Sequence, residues 1–299
     1  MSNKPQTIAQ FFKRFPTEEA CLNHLFDVRF GQGFECPKCE RASKWFRIKA
    51  ERAYSCQWCG HHLHPTVGTP FEKTRTSLQL WFYAIFLFTT TRNGVAAKEL
   101  QRQLGVTYKT AWRMADLIRK HMGDVDGDEL LGGAGEVVEI DETIVGGSVS
   151  GKGNGYMGNK SVVVGMLERD GKIVTRVVTS RTKADMRSVI LEQVQPGSTI
   201  STDEMGGYKD IAHSGYRHIR VNHNRGQYAD AVTGASVNGL ESFFAQLKRS
   251  IIGTHIHVSR KHLWKYAKEA EYRFNRRSQP SAMLDELLST FGPLPQPRG

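Results

Sequence analysis

Two tight cysteine pairs, Cys36-Pro37-Lys38-Cys39 and Cys56-Gln57-Trp58-Cys59, constrain this chain more than any other feature. Their C-x2-C-x16-C-x2-C spacing lets each pair wrap a knuckle around one tetrahedral zinc ion. Between the knuckles, Trp45-Phe46-Arg47-Ile48 and Ala53-Tyr54-Ser55 read as short strands, so residues 31–68 are expected to form a zinc ribbon around one structural Zn2+. Cysteines in this pattern fit metal ligation in a reducing compartment better than a disulfide framework. The fifth, Cys21, lies among Phe15, Leu22 and Leu25 and reads as a small core residue of an N-terminal helical segment, residues 1–30. His61, His62 and His64 follow the second knuckle. Since four thiolates already satisfy a zinc ion, they are read as surface or DNA-facing groups and not as ligands.

The 299 residues carry 41 Lys+Arg against 30 Asp+Glu, a formal charge of +11, which suits a polyanionic partner. With 39% hydrophobic residues the chain can bury a core and is not disordered. Residues 1–16 show no apolar signal-like run, and the longest apolar stretch, Leu80 to Phe88, is too short to span a bilayer. The expectation is a cytoplasmic, nucleoid-associated protein without membrane partners.

After the ribbon, Thr76-Ser77 can cap a helix through Leu78, Trp81, Phe82 and Ile85. Ala96 to Leu104, the Gly105-Val106 turn and a segment from Thr107 to Lys120 then follow the helix-turn-helix plan. An ordinary helical hairpin shares that pattern. In a DNA-reading version, Thr107, Tyr108, Lys109, Thr110 and Arg113 lie on the first turns of the second helix, so residues 69–123 are assigned to a DNA-binding domain. Asp124 to Gly135 reads as a linker.

Residues 136–299 change character. Glu136 to Asp141 and Ser198 to Asp203 are short strand-like runs that each end in an acid, while Ser161–Leu167 and Lys172–Thr179 read as a hairpin turning at Asp170-Gly171. On a helix, Asn238, Glu241 and Lys248 project from roughly one face. Three carboxylates from separate elements are what two divalent cations need for in-line phosphoryl transfer. Glu142 and Glu204 could replace the neighbouring Asp141 and Asp203, but side chains alternate along a strand, so one member of each pair faces a site; the aspartates are chosen. Gly146-x4-Gly151-Lys152 resembles a phosphate-binding loop, yet Gly153 stands where Ser or Thr must hold magnesium, so a basic hairpin loop touching DNA is preferred. Between Glu241 and Arg277, nine Lys/Arg face three Glu, a density that can neutralise phosphates; Arg249, Arg276 and Arg277 are taken as DNA contacts, and His255 and His257 as surface or phosphate contacts.

Together, Cys36 to Cys59, Ile140-Asp141-Glu142-Thr143-Ile144-Val145-Gly146-Gly147, Thr202-Asp203-Glu204, Asn238-Gly239-Leu240-Glu241-Ser242-Phe243-Phe244 with Lys248-Arg249, and Tyr272 to Arg277 make the chain resemble the zinc-ribbon transposases of bacterial insertion sequences, the ISXO2-like/Merlin-like DDE superfamily. The resemblance implies an RNase H-like α/β domain that cuts and joins DNA with two Mg2+ or Mn2+ ions. It makes Asp141 and Asp203 the first two metal ligands, Glu241 or Asn238 the third, Lys248 a phosphate contact and Phe244 a packing aromatic. Glu241 is favoured because a carboxylate binds a hard cation more strongly than an amide. Terminal inverted repeats and target DNA are the implied partners, engaged by a homodimer or higher oligomer. An inactive DNA-binding regulator, or an RNase H-like nuclease or resolvase, are the competing readings.

Overall fold

The computed structural model describes residues 6–146, 158, 160–169, 171–203, 206–208, 211–220 and 238–292. The chain divides into two compact units, Met1–His121 with Gln279–Gly299, and Met122–Ser278.

In the first unit, α1 (Ile8–Arg14) starts at a capping box made by Thr7 and Gln10, and α2 (Glu18–Arg29) is capped by Thr17. An antiparallel ribbon follows, with strands β1 (Trp45–Ile48), β2 (Ala53–Cys56) and β3 (His62–Leu63) in that order. Ser77 accepts from the Leu80 amide at 3.2 Å and starts α3 (Leu78–Thr90), whose Trp81, Phe82, Ile85 and Phe88 are all fully buried. A helix apolar on nearly every side has to be wrapped by neighbours. One neighbour is the C-terminal helix Met283–Ser289, held by His24 and His121 side chains against the carbonyls of Leu288 and Leu287. The stretch from Gln279 therefore joins this unit, although the sequence reading ran the catalytic domain to residue 299. α4 (Ala97–Leu104) ends at Gly105, whose φ of +63° closes the helix in a left-handed cap, and α5 (Tyr108–Asp126) begins three residues later.

The second unit is a mixed sheet between helical layers. Strands β4 (Val137–Val145), β5 (Ser161–Glu168), β6 (Ile173–Val178), β7 (Thr199–Thr202) and β8 (Arg217–Arg220) stand in the order β6-β5-β4-β7-β8. The first three are an antiparallel meander, while β7 runs parallel to both β4 and β8. α6 (Lys183–Gln193) crosses over between β6 and β7, and Met186 and Ile190 pack with Val138, Ile140, Val162, Val164 and Met166. A second apolar cluster joins Val163 and Leu167 to α7 (Asn238–Arg249) and α8 (Arg260–Asn275), through Leu240, Phe243, Phe244, Leu247, Leu263 and Ala267. Alternation along β5 divides the two clusters between the faces of the sheet.

Edge strand β6 is closed by α8. Glu271 accepts from the Thr175 amide and hydroxyl at 2.8 and 2.6 Å, and one turn on, Asn275 exchanges hydrogen bonds with the Ile173 amide and carbonyl at 2.8 and 3.0 Å. Backbone groups that would otherwise template another strand are thereby satisfied. The expected linker 124–135 is built into this unit: Leu131 is buried and bridges Val194, and Gln193 donates to the Glu129 carbonyl at 3.0 Å.

Candidate active site

Asp141 sits on β4, the central strand. In register with it on β5 is Gly165, and on the other side β4 pairs with β7 as Glu139 with Ser201. Carrying that parallel register two residues further brings Asp203 level with Asp141 on the same face. This is the face on which α7 packs, and Glu241 lies exposed in its first turn. Two glycines let α7 come so close. A Cβ on Gly165 would stand 2.8 Å from Leu240 Cδ2 and 2.9 Å from Phe244 Cζ, and one on Gly239 would stand 2.4 Å from Leu167 Cδ2. Neither glycine was singled out from the sequence. The signal for the second was its place inside Asn238-Gly239-Leu240-Glu241.

The electrostatics agree with this geometry. Burial pushes the Asp141 carboxyl up to about 7, and the charges of Glu142, Asp203 and Glu241 add to the rise, against a 2.8 Å hydrogen bond from the Glu142 amide. Glu142 turns to the opposite face, as alternation requires. There its buried carboxylate accepts from Tyr208 Oη at 2.7 Å and faces Arg181 at 3.4 Å. Burial raises its pKa too, with Asp203 contributing. Glu204 lies outside the described residues, as does the side chain of Asn238. Asp203 and Glu241 lie near enough for their charges to disfavour ionisation of Asp141. Glu139, one step back along this face, is buried, lies 3.5 Å from Arg169 and abuts the start of α7 at Gly239. It too was missed.

Lys248 and Arg249 are exposed at the end of α7, which continues as a π-helical segment, Ser250–His255. The basic density beyond it is largely committed. Lys268 pairs with Asp128 and Glu271, Arg273 pairs with Glu269, and Lys265 is buried beside His262. Arg276, expected on DNA, is ion-paired with the buried Asp126 and stacks 4.1 Å over Tyr272; its charge is needed inside the fold. Arg277 stays exposed, 4.0 Å over Phe274. In the first unit Thr107 caps α5 by accepting from the Thr110 amide at 3.2 Å, Tyr108 lies under Lys98, and Lys109 and Arg113 are exposed. Residues 147–157, which include most of the glycine-rich loop, lie outside the described residues.

The four ribbon thiols converge as expected. Cys36 and Cys59 sulfurs are 3.6 Å apart and those of Cys39 and Cys56 3.9 Å, and all four lie within 4.8 Å of one another. A tetrahedron with Zn–S bonds of about 2.3 Å has an edge of about 3.8 Å, so the donor set fits one structural zinc ion. Ser43 Oγ donates to Cys56 Sγ at 3.2 Å and the Trp58 amide does so at 3.4 Å, an outer shell that suits a thiolate.

Comparison with known proteins supplies the remaining information. The ISXO2-like transposase domain matches residues 130–275, and the transposase zinc-ribbon domain matches residues 16–62. Residues 130–275 are thus an ISXO2-like transposase domain, preceded in the chain by a transposase zinc ribbon. The first match spans Asp141, Asp203 and Glu241, and the second spans Cys36, Cys39, Cys56 and Cys59. A relative from Halobacterium salinarum, an uncharacterized protein in transposable element ISH50, is 26% identical over 275 residues, covering 87% of this chain and 92% of its own length. Among the described residues no helix is long and apolar enough to cross a membrane.

Proposed function

We propose that this transposase is an active enzyme that cuts DNA at the ends of a mobile element and joins the freed ends to target DNA. The carrying observation is the convergence of Asp141, Asp203 and Glu241 on one face of the sheet, with the Asp141 carboxyl raised to about 7 by burial and by its acidic neighbours. A carboxyl whose ionisation is opposed by burial and by neighbouring acids also favours a divalent cation beside it. Mg2+ or Mn2+, when bound, supplies Lewis acidity at the phosphate and a water of lowered pKa. Asp141 and Asp203 would hold the metal, with Glu241 from α7 as the third ligand and Asn238 as an orienting group. Lys248, two turns along, neutralises a phosphate next to the cleaved bond. Water and then a DNA 3′-hydroxyl are the nucleophiles, so no protein side chain bonds covalently to DNA.

The surrounding architecture supports this reading. A three-stranded meander extended by two parallel strands, with acids on neighbouring strands and a third on a helix laid across them, suits an RNase H-like domain. α4, the Gly105 turn and α5 suit a helix-turn-helix that presents Thr107, Tyr108, Lys109, Thr110 and Arg113 to terminal inverted repeats. Pairing two element ends calls for at least two copies of the chain.

Incubation with the element's terminal repeats and Mg2+ should yield 3′-end nicks and then strand-transfer products, and both should vanish with Asp141→Asn while DNA binding persists. Glu241→Ala is expected to lower cleavage by about a thousandfold, and Asn238→Ala by only about tenfold, since one removes a charged ligand and the other an orienting amide. Intact binding without nicks in the wild type would identify a DNA-binding regulator; nicks without joining would identify a nuclease.

A further inference from the structure

We infer that the ribbon carries a second transition-metal site on its surface, made by Glu51, His62 and His64. Each offers one ligand atom, and the three atoms lie within 4.8 Å of one another. The sequence hides this site, because His62 and His64 look like surplus histidines until the fold supplies a carboxylate.

The placement follows from the hairpins. His62 and His64 flank Leu63, which is buried, so alternation turns both imidazoles to the outer side. β3 pairs with β2 as Ser55 with His62 and Tyr54 with Leu63, which runs His64 back toward the turn between β1 and β2. Glu51 stands in that turn. Its backbone is fixed by Arg47, whose guanidinium donates to the carbonyls of Ile48, Glu51 and Ala53. Three ligands from two elements are therefore presented by a short, braced scaffold.

The spacing is that of a metal shell. His62 Nδ1 and Glu51 Oε2 are 3.4 Å apart, long for a hydrogen bond. A tetrahedral ion with bonds of about 2.0–2.1 Å to nitrogen and oxygen has edges of about 3.3–3.4 Å. Two imidazoles and a carboxylate select borderline ions such as Zn2+, Co2+ or Ni2+ over Mg2+, and a water completes the coordination. All three side chains are exposed, so this ion exchanges more readily than the one enclosed by thiolates. Bound there, it ties the β1–β2 turn to the strand leaving the second cysteine knuckle. The inference is independent of any catalytic role for the carboxylates.

The test uses the untagged full-length chain, titrated with Zn2+ and assayed for bound metal, beside His62→Ala/His64→Ala and Glu51→Gln. The wild type should take up one more zinc ion per chain than the double variant, and Glu51→Gln should weaken that uptake at least tenfold. Replacing zinc by Co2+ shows whether the cysteine centre is intact, through its thiolate-to-cobalt absorption, which should be equal in all three proteins. Mg2+ in place of Zn2+ should leave the three indistinguishable. Equal zinc stoichiometry and affinity in the wild type and both variants would overturn the inference. Glu51→Gln leaves β3 untouched, so its result stands even if the double variant perturbs the ribbon.

Discussion

The ribbon's thiols come from two knuckles joined by a single hairpin, whereas Asp141, Asp203 and Glu241 come from two strands and a helix that the chain reaches by long detours. Both sets gather anionic donors, but they are held in different ways. In the ribbon, few side chains besides the thiols are buried, Trp45, Tyr54 and Leu63 among them, so a bound zinc ion would supply much of what the knuckles fold around. In the second unit the sheet and its two apolar clusters exist independently of any ion, and they force the acids together. Metal removal should therefore unfold the first centre and leave the second standing.

Cys36→Ser is the strongest way to break that contrast. It should abolish the ordered ribbon and with it specific binding to element ends, while circular dichroism and limited proteolysis still report a folded second unit. Unchanged end affinity would sink the ribbon's part in recognition.

Arg276→Ala tests whether the second centre is held by the fold. Asp126 would be left buried with its main cationic partner gone, at a cost of about 3 kcal/mol. Denaturant unfolding measures that loss directly. Arg277→Ala, by contrast, should leave stability nearly unchanged and flatten the dependence of DNA affinity on salt by about one phosphate contact. Gly165→Ala comes next. Its methyl would meet Leu240 and Phe244 and lift α7 from the sheet, costing about 2 kcal/mol and slowing cleavage by displacing Glu241. If the close approach is the reason, Phe244→Leu in the same chain should restore part of both.

The same contrast explains what could be read from sequence. Cysteine spacing encodes the ribbon centre directly, since ligands a few residues apart are neighbours whatever surrounds them. Asp141 and Asp203 were legible as acids ending apolar runs, and Glu241 as part of a helical face with Lys248. What brings them together is not a local property. It depends on the β4–β7 register and on two glycines whose meaning appears only once a helix lies across them. Arg276 shows the converse error, because local charge density pointed outward while tertiary packing, through Asp126, turned the side chain in. Glu51 was invisible for the same reason that Gly165 was: its partners lie across a hairpin.

The smallest predicted effect probes the acids without DNA. An aspartate whose folded pKa is raised to about 7, against roughly 4 when unfolded, binds its proton more tightly in the native state. Its contribution to stability is complete below pH 4 and is lost as the pH rises toward 7, which is opposite in sign to a salt-bridged carboxylate. Glu142, also raised by burial, acts in the same direction. Asp141→Asn should thus stabilise the protein at pH 8 by on the order of 1–2 kcal/mol, and by almost nothing at pH 4. The measurement belongs in magnesium-free buffer without chelator, so that the ribbon keeps its zinc. Adding Mn2+ should stabilise the wild type at pH 8 and not the variant, because the cation relieves the repulsion that the amide has already removed. Equal stability at both pH values would mean that Asp141 ionises as an ordinary carboxylate, and that burial and its acidic neighbours do not oppose its charge.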